Sequence, residues 1–294
     1  MVLVFSSLGI IFSVWELIAR PFAHNYNKGL AYFSLNTWLK ASRELLEFLI
    51  IAYASFYLVI LSLIAVQFVF RYSTLFKPHW AKKFGGFGVV VWMVYSLFSG
   101  AVYGGSLYYF CSPDAFTDEY MEDIIYDSYN ISIRHAPRFL IVPYAKDDSV
   151  RWNNLYFLLI GVMILELQYL IIIVCGVRMN NILKNQMRQI SLENRKLQKQ
   201  LFRALVVQTV VPTLLFVLPI APFLIGPLLD TQMNFQTGWM YVILCLYPPI
   251  DTIAFMLIVS EYKRATWVTF KSILSKRNQV YNDSTISTAV ATTK

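Results

Sequence analysis

Six apolar stretches, each long enough to cross a lipid bilayer, constrain this chain more than any other feature. They cover residues 1–19, 45–70, 85–110, 152–177, 204–229 and 235–260. A crossing helix needs about 20 mostly apolar residues, because the hydrocarbon core is about 30 Å thick. The six runs hold four formal charges, Glu16, Glu47, Glu166 and Asp251, and no Lys or Arg. They are apolar nearly all round, as buried or lipid-facing helices are. Strands of a membrane barrel would be about half as long and would alternate in polarity. The expected fold is therefore all-α, a polytopic transmembrane bundle of six spans. It forms one domain over 1–277, followed by a disordered cytoplasmic tail over 278–294.

Composition excludes most other classes. Of 294 residues, 57% are hydrophobic and 14% charged, against about a quarter charged in soluble domains. That is too few charges to cover a soluble surface, so a soluble enzyme, a nucleic-acid binder and a disordered chain are poor fits. The net charge of +8 is explained by where the basic residues fall. Segments 71–84, 178–203 and 261–294 hold 17 Lys/Arg and 3 acids, whereas 20–44, 111–151 and 230–234 hold 8 Lys/Arg and 10 acids. Lys and Arg are retained on the cytoplasmic side of short loops. The first set is thus expected inside, with both termini, and the lipid bilayer is the partner the charge answers to.

Two sequons fit this threading. Asn130-Ile131-Ser132 falls in the long acidic loop on the outer side, where glycosylation is available. Asn282-Asp283-Ser284 falls in the inner tail and is expected to stay unmodified. The first run ends in Arg20-Pro21 and not in a small-residue cleavage site, so it reads as a span and not as a signal peptide. After Ser260, Trp267, Phe270 and Leu274 recur among Lys271, Lys276 and Arg277, the pattern of a short amphipathic helix on the inner leaflet.

Catalysis finds no support. His24, His79 and His135 are scattered in loops, and neither a paired-histidine helix nor GxSxG nor a phosphate loop is present. The three cysteines lack zinc-site spacing and offer no disulfide scaffold. Eight acids in 111–151 lack calcium-loop spacing. Neither a cofactor nor a metal is expected.

Some residues carry readings of their own. Asp251 lies in the inner half of the last run, where a carboxylate costs about 3 kcal/mol on insertion scales and should face the bundle interior. Gln208 lies near the same inner end of the neighbouring run, and the two are candidates for one polar switch. Pro212, Pro219, Pro222 and Pro227 crowd the fifth run, and each proline removes a backbone hydrogen bond and bends a helix. By depth, Glu16, Glu44, Glu47, Tyr156, Phe216, Phe223, Trp239 and Tyr241 are candidates for an outer ligand site. An apolar aromatic cavity there would suit a small lipophilic ligand. Glu166 has no assigned role.

The residues also resemble a known family. The resemblance runs through Arg20-Pro21-Phe22-Ala23-His24 and Gln67-Phe68-Val69-Phe70-Arg71-Tyr72. It continues through Leu197-Gln198-Lys199-Gln200-Leu201-Phe202-Arg203-Ala204-Leu205 with Gln208-Thr209 and Pro212, then Tyr247-Pro248-Pro249-Ile250-Asp251 and Glu261-Tyr262-Lys263-Arg264. These segments resemble the nematode serpentine chemoreceptors of the Str/Srj type, which are seven-transmembrane G-protein-coupled receptors. The resemblance implies a chemosensory receptor at the plasma membrane, in a sensory cilium, with a heterotrimeric G protein and a small-molecule ligand as partners. It makes the six runs equivalent to family spans two to seven, with the first span lacking. It implies G-protein contacts at Arg71, Tyr72, Lys199 and Arg203, and makes the proline-rich fifth run the moving sixth span, with Gln208, Pro212 and Asp251 in the switch. Arg71 follows Phe70, so the acidic neighbour usual in rhodopsin-like receptors is absent. The rival classes are a transporter or channel subunit, or a receptor remnant that does not signal.

Overall fold

The computed structural model describes residues 2–39, 41–76, 78–185, 192–229, 234–260, 263–264, 267–268 and 271. The expected tail over 278–294, most of the expected amphipathic C-terminal helix and Asn282 lie outside these residues. So does 186–191 of the basic inner segment.

The apolar runs fold into α1 (Val2–Ala19), α2 (Arg43–Phe76), α4 (Phe87–Phe110), α6 (Trp152–Asn185), a compound fifth span and a two-part last span. A four-residue helix, α3 (Pro78–Ala81), joins α2 to α4. The fifth span begins as α7 (Leu192–Pro212), passes through a π-turn at Thr213–Val217 and continues as α8 (Leu218–Ile225) and a 3-10 turn. The last span is α9 (Gly238–Cys245) followed by α10 (Tyr247–Ile258). Among the described residues, five stretches are long and apolar enough to cross a membrane; the first run, whose apolar helix is fully described over Ser7–Ala19, is shorter.

α2 is the hub. Its 34 residues span about 50 Å at 1.5 Å per residue. It packs on α1, α4, α6 and α7, and 67% of its apolar window is buried, against 28% or less in the other four stretches. α4 reaches it through two glycines one turn apart. A Cβ on Gly100 would strike the Val59 side chain and the Ser55 carbonyl, and one on Gly104 would fall on Ser55 Oγ. Small residues four apart let two helix backbones approach closely where no hydrophobic drive separates lipid from protein.

The expectation of an all-α fold needs correction: the chain is mostly helical, with a four-stranded antiparallel sheet at one end of the bundle. β1 (Pro21–Tyr26) and β2 (Gly29–Ser34) form a hairpin whose two-residue turn places Asn27 at φ 46°. Asn tolerates the left-handed region better than most residues. β3 (Arg138–Ile141) and β4 (Asn234–Gln236) complete the order β3-β2-β1-β4. The sheet gathers β1 and β2 from 20–44, β3 from 111–151 and β4 from the start of the last apolar run, stretches that individually look like loops or span ends.

The pleat divides the sheet's side chains between two cores. Ala23, Leu30, Phe139 and Ile141 face the helical bundle. Ala31, Phe33 and Leu140 face α5 (Ala115–Tyr129), meeting Met121 and Ile125. Buried Arg138 holds α5 in place through a two-point contact with Asp118 (Nε–Oδ1 and Nη2–Oδ2 both 2.6 Å). The planar guanidinium fork matches the carboxylate.

Candidate functional site

Beneath the sheet the helices part around a cavity of about 280 Å³, near the lower end of the range for small-molecule pockets. α2 contributes Tyr53, Tyr57 and Leu61, α4 Tyr103, and α6 Phe157 and Gly161; Ala23, Leu30 and Ile141 of the sheet form the roof. The compound fifth span supplies the largest share, including Pro212, Phe216, Val217 and Phe223. The walls are overwhelmingly apolar and aromatic, so burial of apolar surface would dominate binding, worth roughly 25 cal/mol per Å².

Phe216 links this cavity to the last span. Its ring centroid lies 4.8 Å from that of Tyr57 and 4.6 Å from that of Tyr247. Tyr247 begins α10, one turn before Asp251. Asp251 and Gln208 are both buried, and Gln208 Nε2 donates to Asp251 Oδ2 at 3.5 Å. One turn beyond Gln208 stands Pro212, and then the π-turn. The sequence paired these residues by depth, and the fold places them in contact.

The other sequence candidates divide. Phe216 and Phe223 line the cavity. Trp239 is exposed and touches it through the Phe223 ring, 6.3 Å between centroids. Glu16 lies outside the cavity and accepts from Cys245 Sγ at 2.8 Å. Glu47 pairs with Arg43 at 2.7 Å along one face of α2. Tyr156 is exposed and packs on Phe110 and Trp152. Depth along a span fixes neither which way a side chain points nor what it meets. The side chain of Tyr241 is outside the described residues. Tyr53, Tyr57, Tyr103 and Phe157 went unnoticed in the sequence, although the 3–4-residue spacing of Tyr53 and Tyr57 marks one helix face.

At the opposite end Arg71 is half-buried, its guanidinium 6.0 Å from the Phe70 ring. Among the described residues no carboxylate pairs with it. Arg178 of α6 crosses to Tyr72, donating to its hydroxyl at 3.4 Å with the guanidinium 6.0 Å from the ring. Lys199 and Arg203 are exposed on α7. Asn130 closes α5 in the left-handed conformation, φ 55°, and is exposed. The Ser132 hydroxyl of the same sequon donates to Glu122 at 2.6 Å.

The cap holds two tuned groups. His24 is fully buried in β1 with Nδ1 3.0 Å from the Tyr129 hydroxyl; burial pushes its pKa below the ordinary 6.5, partly offset by Asn234. Asp114 caps α5. Burial pushes its carboxyl upward, but hydrogen bonds from Thr117 and the charge of Arg151 outweigh this and hold it below its ordinary value. Among the described residues no cluster of His, Cys, Asp and Glu could hold a metal, and Cys111, Cys175 and Cys245 are free thiols.

A bundle of membrane-length helices around an apolar, ligand-sized cavity is the architecture of a multi-pass membrane protein. The family model described as "serpentine type 7TM GPCR chemoreceptor Str" matches residues 1–267, and the chain belongs to that family of nematode chemosensory G-protein-coupled receptors. It is 35% identical to the G-protein coupled receptor str-33 of Caenorhabditis elegans over 271 residues, 90% of this chain and 79% of that receptor. It is also 26% and 25% identical to the serpentine receptors class r-10 of C. elegans and C. briggsae, each alignment covering 94% of this chain and 81% of the relative. No solved structure matches the chain.

Proposed function

We propose that the cavity under the sheet is the ligand site of this chemoreceptor and that its occupancy is read at the Gln208–Asp251 contact. The observation that carries this is the shared span: Pro212 and Phe216 form cavity wall, and Gln208, one turn before Pro212, holds Asp251. The proline and the π-turn weaken the backbone ladder between them, so this span bends there at low cost. A ligand pressing on Phe216 moves Tyr247, and with it the α10 turn that carries Asp251. It shifts the receptor toward the active state only by binding that state more tightly.

In this reading the chain crosses the membrane six times, equivalent to family spans two to seven. The sheet end is outside and both termini are cytoplasmic. The inner surface at Arg71, Tyr72, Lys199 and Arg203 docks a heterotrimeric G protein, and the receptor works at the plasma membrane of a sensory cilium. The pooled charge partition and the joining of 20–44, 111–151 and the start of the last run in one sheet support that threading.

The test is G-protein activation in cells expressing the receptor, screened with neutral lipophilic compounds. A response is expected that falls at least tenfold in Ala54→Phe, which fills the cavity from α2, and in Arg71→Ala, each at surface levels equal to the unsubstituted receptor. A response that Ala54→Phe leaves intact, or the lack of any compound-dependent activation, overturns the proposal.

A further inference from the structure

We propose that the cavity fills from the side: a gap between α6 and α8 admits a neutral lipophilic molecule already dissolved in the bilayer, while the sheet keeps the aqueous end shut. This rests on the cavity being the ligand site.

The closure of the aqueous end is built from several independent contacts. The roof residues Ala23, Leu30 and Ile141 are all at most 5% exposed. They sit in strands paired by backbone hydrogen bonds, with α5 packed on the far face. The sheet is also fastened to the fifth span. Asn25 Nδ2 donates to the Phe223 carbonyl at 3.1 Å, and the Tyr144 hydroxyl donates to the Leu228 carbonyl at 3.3 Å. Thr237 Oγ1 donates to the Ala23 carbonyl, tying the roof to the last span. Entry from water would break ladder bonds and expose backbone groups that the strands now satisfy.

The side wall differs. Tyr169 of α6 and Thr213 of the π-turn share a hydrogen bond of 2.6 Å. From there to Leu228 the fifth span runs on for about 20 Å at helical rise, and among the described residues no hydrogen bond joins it to α6. Val162 on α6 and Ile225 on α8 both line the cavity, yet they are 48% and 49% exposed, against 5% or less for the roof residues. Lining side chains this accessible mark where the wall is thinnest. Leu158, Leu165 and Ala221 continue this apolar rim. Glu166, on the same α6 face as Val162 and one turn further in, is exposed. Among the described residues no Lys or Arg lines the cavity to pair with a carboxylate, so the class admitted is an uncharged lipophile and not a fatty-acid anion.

The experiment uses the full receptor in phosphatidylcholine vesicles with 1-aminoanthracene, a neutral fluorescent lipophile, as probe. Energy transfer from tryptophan reports occupancy, because Trp239 lies against cavity-lining Phe223. In stopped flow, Val162→Phe with Ile225→Phe is expected to slow filling at least fivefold while the final amplitude stays within twofold. Ile225→Phe alone, a milder change, is expected to slow it about twofold. Tyr144→Phe, which unlatches the cap, should leave the rate unchanged. Unaltered filling in both rim variants, or faster filling in Tyr144→Phe, overturns lateral entry. A transfer signal that persists in Ala54→Phe shows that the probe does not occupy the cavity, and the ligand-site reading falls separately.

Discussion

The His24 imidazole is fully buried between the sheet and α5, and its environment favours the neutral form. The sign of the resulting pH dependence is fixed by linkage. The unfolded chain takes up a proton near pH 6.5, whereas the folded ring resists it to lower pH. The contribution of His24 to stability is therefore complete above that value and shrinks as pH falls through it. Thermal unfolding of the purified receptor is expected to drop by a few degrees more between pH 7.5 and pH 5 than unfolding of His24→Phe, which cannot titrate; equal drops would assign the pH sensitivity elsewhere. Asp251 was readable from sequence because a carboxylate in an apolar run must find a polar partner or a cavity. Their common depth made Gln208 a candidate partner, and the rotation of the two helices brought them into contact. Glu47 and Tyr156 sit at plausible depths too, but their directions depend on helix rotation, which a nearly uniform apolar run does not encode.

At the scale of elements, the α2–α4 contact rests on Gly100 and Gly104. Gly104→Val is expected to push α4 off Ser55 and to cost about 1–3 kcal/mol, the usual range for overpacking. Gly105→Val is the matched control, since a Cβ there meets nothing within 4 Å. Melting temperatures that fall equally in both variants would remove the close-approach argument. The helices were legible because each is a long apolar run, and every run beyond the first became a membrane-length stretch. The strands were not. Each has six residues or fewer, and β3 and β4 find partners more than 100 residues away in sequence. The hairpin did leave a trace, Asn27-Lys28-Gly29 between two short apolar stretches, a two-residue turn of the kind hairpins favour.

For the whole molecule, threading and assembly meet at the sheet. Because its strands come from 20–44, from 111–151 and from the start of the last apolar run at Asn234, those stretches must share one side of the membrane, and Asn130 sits among them. If that side is outside, the receptor made in cells should carry one N-linked glycan, lost in Asn130→Gln and retained in Asn282→Gln. A glycan at Asn282 would invert the threading. Charge counting, residue by residue, reaches the same partition from a different physical source, the retention of cations on the cytoplasmic side.

What the sequence determined by itself is what local composition can express: long apolar helices, whose length follows from the bilayer's thickness, and family membership from ordered motifs. The tertiary structure decided the rest. It chose which faces of nearly uniform apolar helices turn inward, opened a cavity where prolines and a π-turn spread one span from its neighbours, and closed that cavity with a sheet. These depend on pairings between segments far apart in the chain, which form only once the helices have packed and brought their ends together.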